Sequence, residues 1–87
     1  MSRRDFNGLI NTLLELTTRE EMADFLHGIL TEQELEEIPQ RLMIVKMLKQ
    51  GIPHHEIAKK LHVGVATVTR GSKEIQKGRF KNIKSLL

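Results

Sequence analysis

Cysteine is absent from all 87 residues, which excludes disulfides and thiolate metal sites and suits a reducing cytoplasm. Tryptophan and tyrosine are absent too, and three phenylalanines are the entire aromatic content. Without cysteine or tyrosine, and with four scattered histidines, the chain offers no grouping of nucleophile, base and orienting residue, so it is not expected to be an enzyme. His55 and Glu56 begin a zinc-protease pattern, but Lys59 occupies the position of the required second histidine. The histidines therefore read as surface or turn residues, and no metal site is expected. No apolar run approaches the roughly 18 residues of a membrane span. The MSRRDFNG opening lacks the apolar stretch of a signal peptide, so a cytoplasmic protein with no membrane partner is expected. Strand alternation, repeats and low-complexity tracts are also missing, which leaves helices as the building material.

Each half of the chain is short of one charge sign. Residues 1–40 hold three Lys/Arg against nine Asp/Glu, and residues 41–87 hold eleven against two, so the halves carry −6 and +9 while the whole carries only +3. A chain of this length makes one small domain, 1–87, which buries only about 60% or a little more of its unfolded surface. Oligomerisation is the supplement open to it.

Phe6, Leu9, Ile10, Leu13 and Leu14 follow the spacing of one apolar helix stripe and predict a first helix over about Arg3 to Leu16. Thr18 with Glu21 has the spacing of a capping box and opens a second helix, whose stripe is Met22, Phe25, Leu26 and Ile29. Thr31 with Glu34 repeats that box. The third helix is expected to bury Leu35, Ile38, Leu42, Val45 and Leu48 and to close at Gly51, with a kink or short break near Ile38 caused by Pro39. Pro53 suits the first turn of a fourth helix, at about 53–61. Gly64 begins a fifth, which runs to about Gln76 and stops at Gly78, and Phe80, Ile83 and Leu87 predict a short terminal helix. The fold class is thus all-α, with about six helices.

The segment HHEIAKKLHVGVATVTRGS, residues 54–72, reads as two short helices around a tight turn, a helix-turn-helix at about 53–76. Ala58, Val63 and Val68 fall at five-residue intervals: the small residue lets the helices approach, and the two β-branched residues wedge the turn and second helix onto the core. Ile57 and Leu61 complete the buried side. His62 stands where such motifs usually place glycine for a positive φ, a conformation that His tolerates better than most residues. The apolar spacing alone would also suit an ordinary helical hairpin. A basic half around a candidate recognition helix is, however, the electrostatic footprint of a phosphate-binding face.

GVATVTRGS, preceded by TEQELEEIPQRLMIVKMLKQG at 31–51, resembles the tryptophan repressor family from about Gly28 to Lys77, and Thr69, Arg70, Gly71 and Ser72 are the most specific part of the match. Between Gly51 and Glu56 the chain is one residue shorter than the best-known repressor of the family. The resemblance implies two chains interlocking their N- and C-terminal helices into a shared core, an intertwined homodimer. It also implies a sequence-specific transcriptional repressor of double-stranded operator DNA, with L-tryptophan as corepressor and tryptophan biosynthesis as its target. The N-terminal end of the fifth helix would enter the major groove, a docking mode for which the tryptophan repressor is itself a reference case. Val65, Ala66, Thr67 and Thr69 are the residues carried over for DNA reading, with Lys59, Lys60 and Lys73 as phosphate contacts; the family's base-reading arginine has no clear counterpart, and His55 or His54 stands nearby.

Free tryptophan is a zwitterion with a flat indole, so its site needs a cation, carbonyl acceptors and flat faces. By the resemblance, Arg41 and Arg70 sandwich the indole, a task for guanidinium planes rather than ammonium groups. Arg70 also bonds the carboxylate, with Thr31 assisting from the partner chain. Gly71 leaves room for the ring and Val45 lines its edge. Gly28, Ile29 and Leu30 lie near the predicted end of the second helix, where unsatisfied carbonyls and the negative dipole end favour an ammonium group. Glu74 stands where the family commonly has a hydroxyl beside that ammonium. The alternatives are a regulator of the same superfamily with another ligand or none, and a helical dimer that binds RNA or an acidic protein through its basic face.

Overall fold

The computed structural model describes residues 2–85, and these form helices α1 (Arg3–Glu15), α2 (Arg19–Ile29), α3 (Glu32–Lys49), α4 (His54–Leu61) and α5 (Val65–Gln76), with no strand among the described residues. The chain is all-α, as its patterning predicts. It divides into two compact units, Met1–Leu35 and Glu36–Leu87.

In the first unit the helix ends are fixed by side chains. The Ser2 hydroxyl accepts from the Asp5 N–H at 3.0 Å and starts α1. At α2 the Thr18 hydroxyl accepts from the Glu21 N–H at 3.1 Å, and the Glu21 carboxylate accepts from the backbone of Thr17 at 2.9 Å and of Thr18 at 3.3 Å. The Thr31–Glu34 box forms likewise ahead of α3: the Thr31 N–H donates to the Glu34 carboxylate at 2.9 Å and the Glu34 N–H to the Thr31 hydroxyl at 3.1 Å. Neither α1 nor α2 contains a buried residue. The stripe on α1 is open, with Leu14 76% exposed and Phe6, Leu9 and Ile10 exposed beside it.

The second unit carries the core, made of Ile44, Met47, Ile57, Ala58 and Val68, with Met43, Leu48, Ile52, Leu61 and Val63 packed around it. The motif residues Ile57, Ala58 and Val68 are buried as expected, and His62 closes α4 in the left-handed region at φ 57°, ψ 44°. Pro53 sits one residue before α4, as its N-cap. The Gln40 side-chain amide donates to the Leu61 carbonyl at 3.2 Å, supplying a partner to an otherwise orphaned acceptor at the end of α4.

Three features of the second half differ from the sequence reading. On α3, Val45 is buried and Leu35 and Leu48 are half-buried, but Ile38 and Leu42 are exposed, and Ile44 and Met47 occupy the core in their place. The reason is that α3 is apolar on more than one side between Leu42 and Leu48, and the packed pair α4–α5 selects which side is covered. The short break at Pro39, one of the two outcomes expected there, does not occur, because α3 runs continuously from Glu32 to Lys49. The proline's missing N–H removes one helical bond without ending the helix. Beyond α5, residues 77–82 form turns where a terminal helix was expected, because Gly78 and Phe80 both take positive φ, 98° and 63°. Leu87, assigned to that helix by its spacing, lies outside the described residues.

Ile57 is fully buried against α3 and α5, so Ile57→Ala should lower the stability of the fold by about 2–5 kcal/mol, measured by urea unfolding. The Thr17 and then the Thr18 backbone N–H groups hold the Glu21 carboxyl below its ordinary value. The cap's contribution is therefore complete above the ordinary carboxylate range and is lost as pH falls through the depressed value. An NMR titration should find the Glu21 carboxyl protonating below the ordinary carboxylate value.

Candidate functional site

At 100° per residue, α5 presents three faces. Val68 and Ile75 turn toward the core side, where Val68 is fully buried. Val65, Ala66, Thr69 and Lys73 share an outer face; Val65 is half exposed, Ala66 and Lys73 are exposed, and Thr69 is half-buried. Thr67, Arg70, Gly71 and Glu74 form the third, and this face lines a pocket of about 230 Å³ together with Arg41, Ile44 and Val45 of α3 and Phe80 of the segment after α5.

The N-terminal end of α5 is bare of side-chain caps. Gly64 is its N-cap and makes no side-chain hydrogen bond, and no acidic residue stands in the first turn. The positive dipole end of α5 thus carries neither a side-chain cap nor an acidic residue of its own first turn. On α4, His55, Lys59 and Lys60 are exposed, so that these residues and the outer face of α5 are all solvent-accessible on the helix pair. The tight turn between the helices is held by the Val63 N–H on the Ala58 carbonyl, at 3.0 Å.

The pocket exists because α5 comes close to α3. A methyl group on Gly71 would stand 3.3 Å from Ile44 Cγ2 and 3.5 Å from Leu48 Cδ1, and Ile44 is itself buried. Arg41 and Arg70 bring two guanidinium groups to the pocket, one from each helix. Arg41 is paired with Glu37 at 3.8 Å, but its side chain is 64% exposed, so that pair is weak and leaves the group available. Glu74 is paired with Lys77 at 3.1 Å. Pockets for drug-sized ligands run to about 300–1,000 Å³, so this smaller one suits a molecule on the scale of an amino acid.

Of the residues carried over for a ligand, the structure brings Arg41, Val45, Arg70, Gly71 and Glu74 together. Gly28, Ile29, Leu30 and Thr31 belong to the other unit, at the C-terminal end of α2 and the cap of α3. Thr67, matched to DNA reading, falls on the pocket face. Ile44 and Phe80 line the pocket without having been anticipated. Ile44 lay hidden in the continuous apolar run of α3, and Phe80 was absorbed into the stripe of the expected terminal helix. No group of three or more potential metal ligands occurs among the described residues, and no helix among them is long and apolar enough to cross a membrane.

Fold and site together define a helix-turn-helix protein with an amino-acid-sized, arginine-flanked pocket beneath its second motif helix. The family described as Trp repressor protein matches residues 4–86. The chain belongs to the tryptophan repressor family, a family of regulators. It is 32% identical over 84 residues to a Trp operon repressor homolog of Xylella fastidiosa, covering 94% of this chain and 91% of that protein. A Trp operon repressor homolog of Actinobacillus succinogenes is 35% identical over 68 residues, 77% of this chain and 67% of its own length. The uncharacterized protein YerC of Bacillus subtilis is 30% identical over 67 residues, 77% of this chain, and the chain spans 64% of that relative. No solved structure matches the chain.

Gly71→Ala combines a helix-propensity gain of about 1 kcal/mol with overpacking against Ile44 of about 1–3 kcal/mol. A net loss of up to about 2 kcal/mol is expected in urea unfolding, and Gly71→Val should cost clearly more.

Proposed function

We propose that this protein is a homodimeric transcriptional repressor that reads operator DNA through α5 and is switched by a small aromatic ligand, L-tryptophan, acting as corepressor on tryptophan biosynthesis. The observation that carries this reading is the pocket itself: two guanidinium planes on different helices, a glycine and a valine, all under the face of α5 that turns away from its outer, DNA-reading side. A ring held between Arg41 and Arg70 ties the recognition helix to α3. Binding then favours one orientation of α5, which is what a corepressor requires.

Val65, Ala66 and Thr69 stand on the outer face of the N-terminal half of α5, where short side chains let the backbone approach base edges, while Thr67 at the same end belongs to the pocket face. Lys59, Lys60 and Lys73 supply phosphate contacts, and His55 lies at the start of α4 beside them. The carboxylate of the ligand is taken by Arg70 with Thr31 of the partner chain, and its ammonium by the carbonyls of Gly28, Ile29 and Leu30 at the end of α2. Glu74 stands where the family commonly has a hydroxyl near that ammonium, and it either strengthens the contact or crowds the pocket. The family names of its relatives and the basic half of the sequence support this assignment. The dimer is supported by the open apolar stripe on α1 and by the exposed Ile29, Ile38 and Leu42, which a single chain leaves in water. A protein of this kind acts in the cytoplasm.

Sedimentation should give twice the chain mass, and the unfolding midpoint should rise with protein concentration. A fully folded monomer insensitive to dilution contradicts the dimer. L-Tryptophan should tighten operator binding by roughly 5- to 150-fold, and operator should tighten tryptophan binding by the same factor. Arg41→Ala should abolish that enhancement while leaving ligand-free DNA affinity nearly intact. Equal enhancement in wild type and Arg41→Ala contradicts the sandwich; no enhancement in wild type favours a family regulator with a different ligand or none. Duplex affinity should fall steeply with salt, less so in the Lys59→Ala/Lys60→Ala double variant. A strong preference for RNA transfers the basic face to another partner.

A further inference from the structure

The segment after α5 is folded back rather than trailing. Gly78 donates to the Ile75 carbonyl at 2.9 Å and Arg79 to the Glu74 carbonyl at 3.1 Å, and the positive φ of Gly78 turns the chain out of the helix. Lys49, the last residue of α3, donates through its ammonium group to the carbonyls of Phe80 and Ile83. The neighbouring Gln50 amide donates to the Ser85 carbonyl at 2.7 Å. Two consecutive side chains at the end of α3 thus hold three carbonyls of the segment. Phe80, whose own carbonyl is one of the three, takes φ 63°, a region that a bulky aromatic residue rarely enters, and the residue lines the pocket while remaining 37% exposed.

We infer that residues 77–85 form a strap that closes the pocket through Phe80, with Lys49 as the residue that positions it. Phe80 contributes the only ring among the residues that line the pocket, so the two arginines offer flat cations and the strap offers a flat apolar wall. Because Phe80 is an exposed residue that also lines the pocket, it forms the rim that an entering molecule passes and then contacts. A planar aromatic ligand is favoured over an aliphatic one of equal charge. This specificity role rests on the ligand reading given above, whereas the closure itself does not.

The protein has no tryptophan or tyrosine, so an indole placed in it is read without background. In the full-length Phe80→Trp variant, emission should lie to the blue of free tryptophan. Adding Lys49→Met should shift it to the red, and Lys49→Arg should restore it, since arginine can still donate to both carbonyls. Emission like that of free tryptophan, unchanged by Lys49→Met, overturns the strap whatever the ligand measurements show. Calorimetry of wild type with L-tryptophan, L-phenylalanine and L-leucine tests the wall. Phe80→Ala should weaken L-tryptophan about tenfold, with Phe80→Leu intermediate. Unchanged L-tryptophan affinity in a Phe80→Ala variant of normal helicity overturns the wall role. Failure of wild type to bind any of the three overturns the ligand reading, and the emission of Phe80→Trp still decides whether the strap closes.

Discussion

The approach of α5 to α3 at Gly71 is the constraint on which the C-terminal half depends. With only a hydrogen on Gly71, Ile44 and Leu48 reach the α5 backbone, Val68 and Ile57 close the core beneath them, and α4 is drawn in with its turn. The same contact brings the roots of Arg41 and Arg70 to a common cavity. A single short helix therefore serves three surfaces at once: Val68 holds it to the core, Arg70 and Gly71 face the cavity, and Ala66 and Lys73 remain outside. Anything that enters the cavity acts on the helix that carries the outer face, without any need for a longer path.

The two units use different sources of order. The second has a compact core, small but free of buried polar or charged residues. In the first, local devices fix the helix starts, namely the Ser2 cap and the Thr18–Glu21 box, yet α1 and α2 bury nothing fully. Caps of this kind mark helix ends well but do not replace a core. The apolar stripe on α1 needs a cover, and the proposed dimer supplies one.

Much of this was legible in the residues. Capping boxes were readable because Thr and Glu three apart have few other reasons to stand before an apolar stripe, and His62 was readable because the motif around it demands a left-handed turn. The buried face of α3 was not. Between Leu42 and Leu48 that helix carries apolar residues on several sides, so periodicity alone cannot choose Ile44 and Met47 over Ile38 and Leu42; the packing of α4 and α5 chooses. The spacing of Phe80 suits a terminal helix, whereas in the fold its carbonyl accepts from Lys49, 31 residues away in sequence, and the chain there turns. Long-range bonds to backbone carbonyls leave no pattern in the sequence around the acceptor. Arg41, Val45, Arg70, Gly71 and Glu74 are legible together through the family's motif and do line one cavity.

The central claim is that a ligand in this cavity restrains α5 relative to α3, and amide hydrogen exchange tests it most directly. With saturating L-tryptophan, the amides of Val65–Gln76 and those of α3 around Arg41 should exchange more slowly, while α1 keeps its ligand-free pattern in its exposed first turns. Protection unchanged in α5, or confined to regions away from Arg41 and Arg70, would contradict the account.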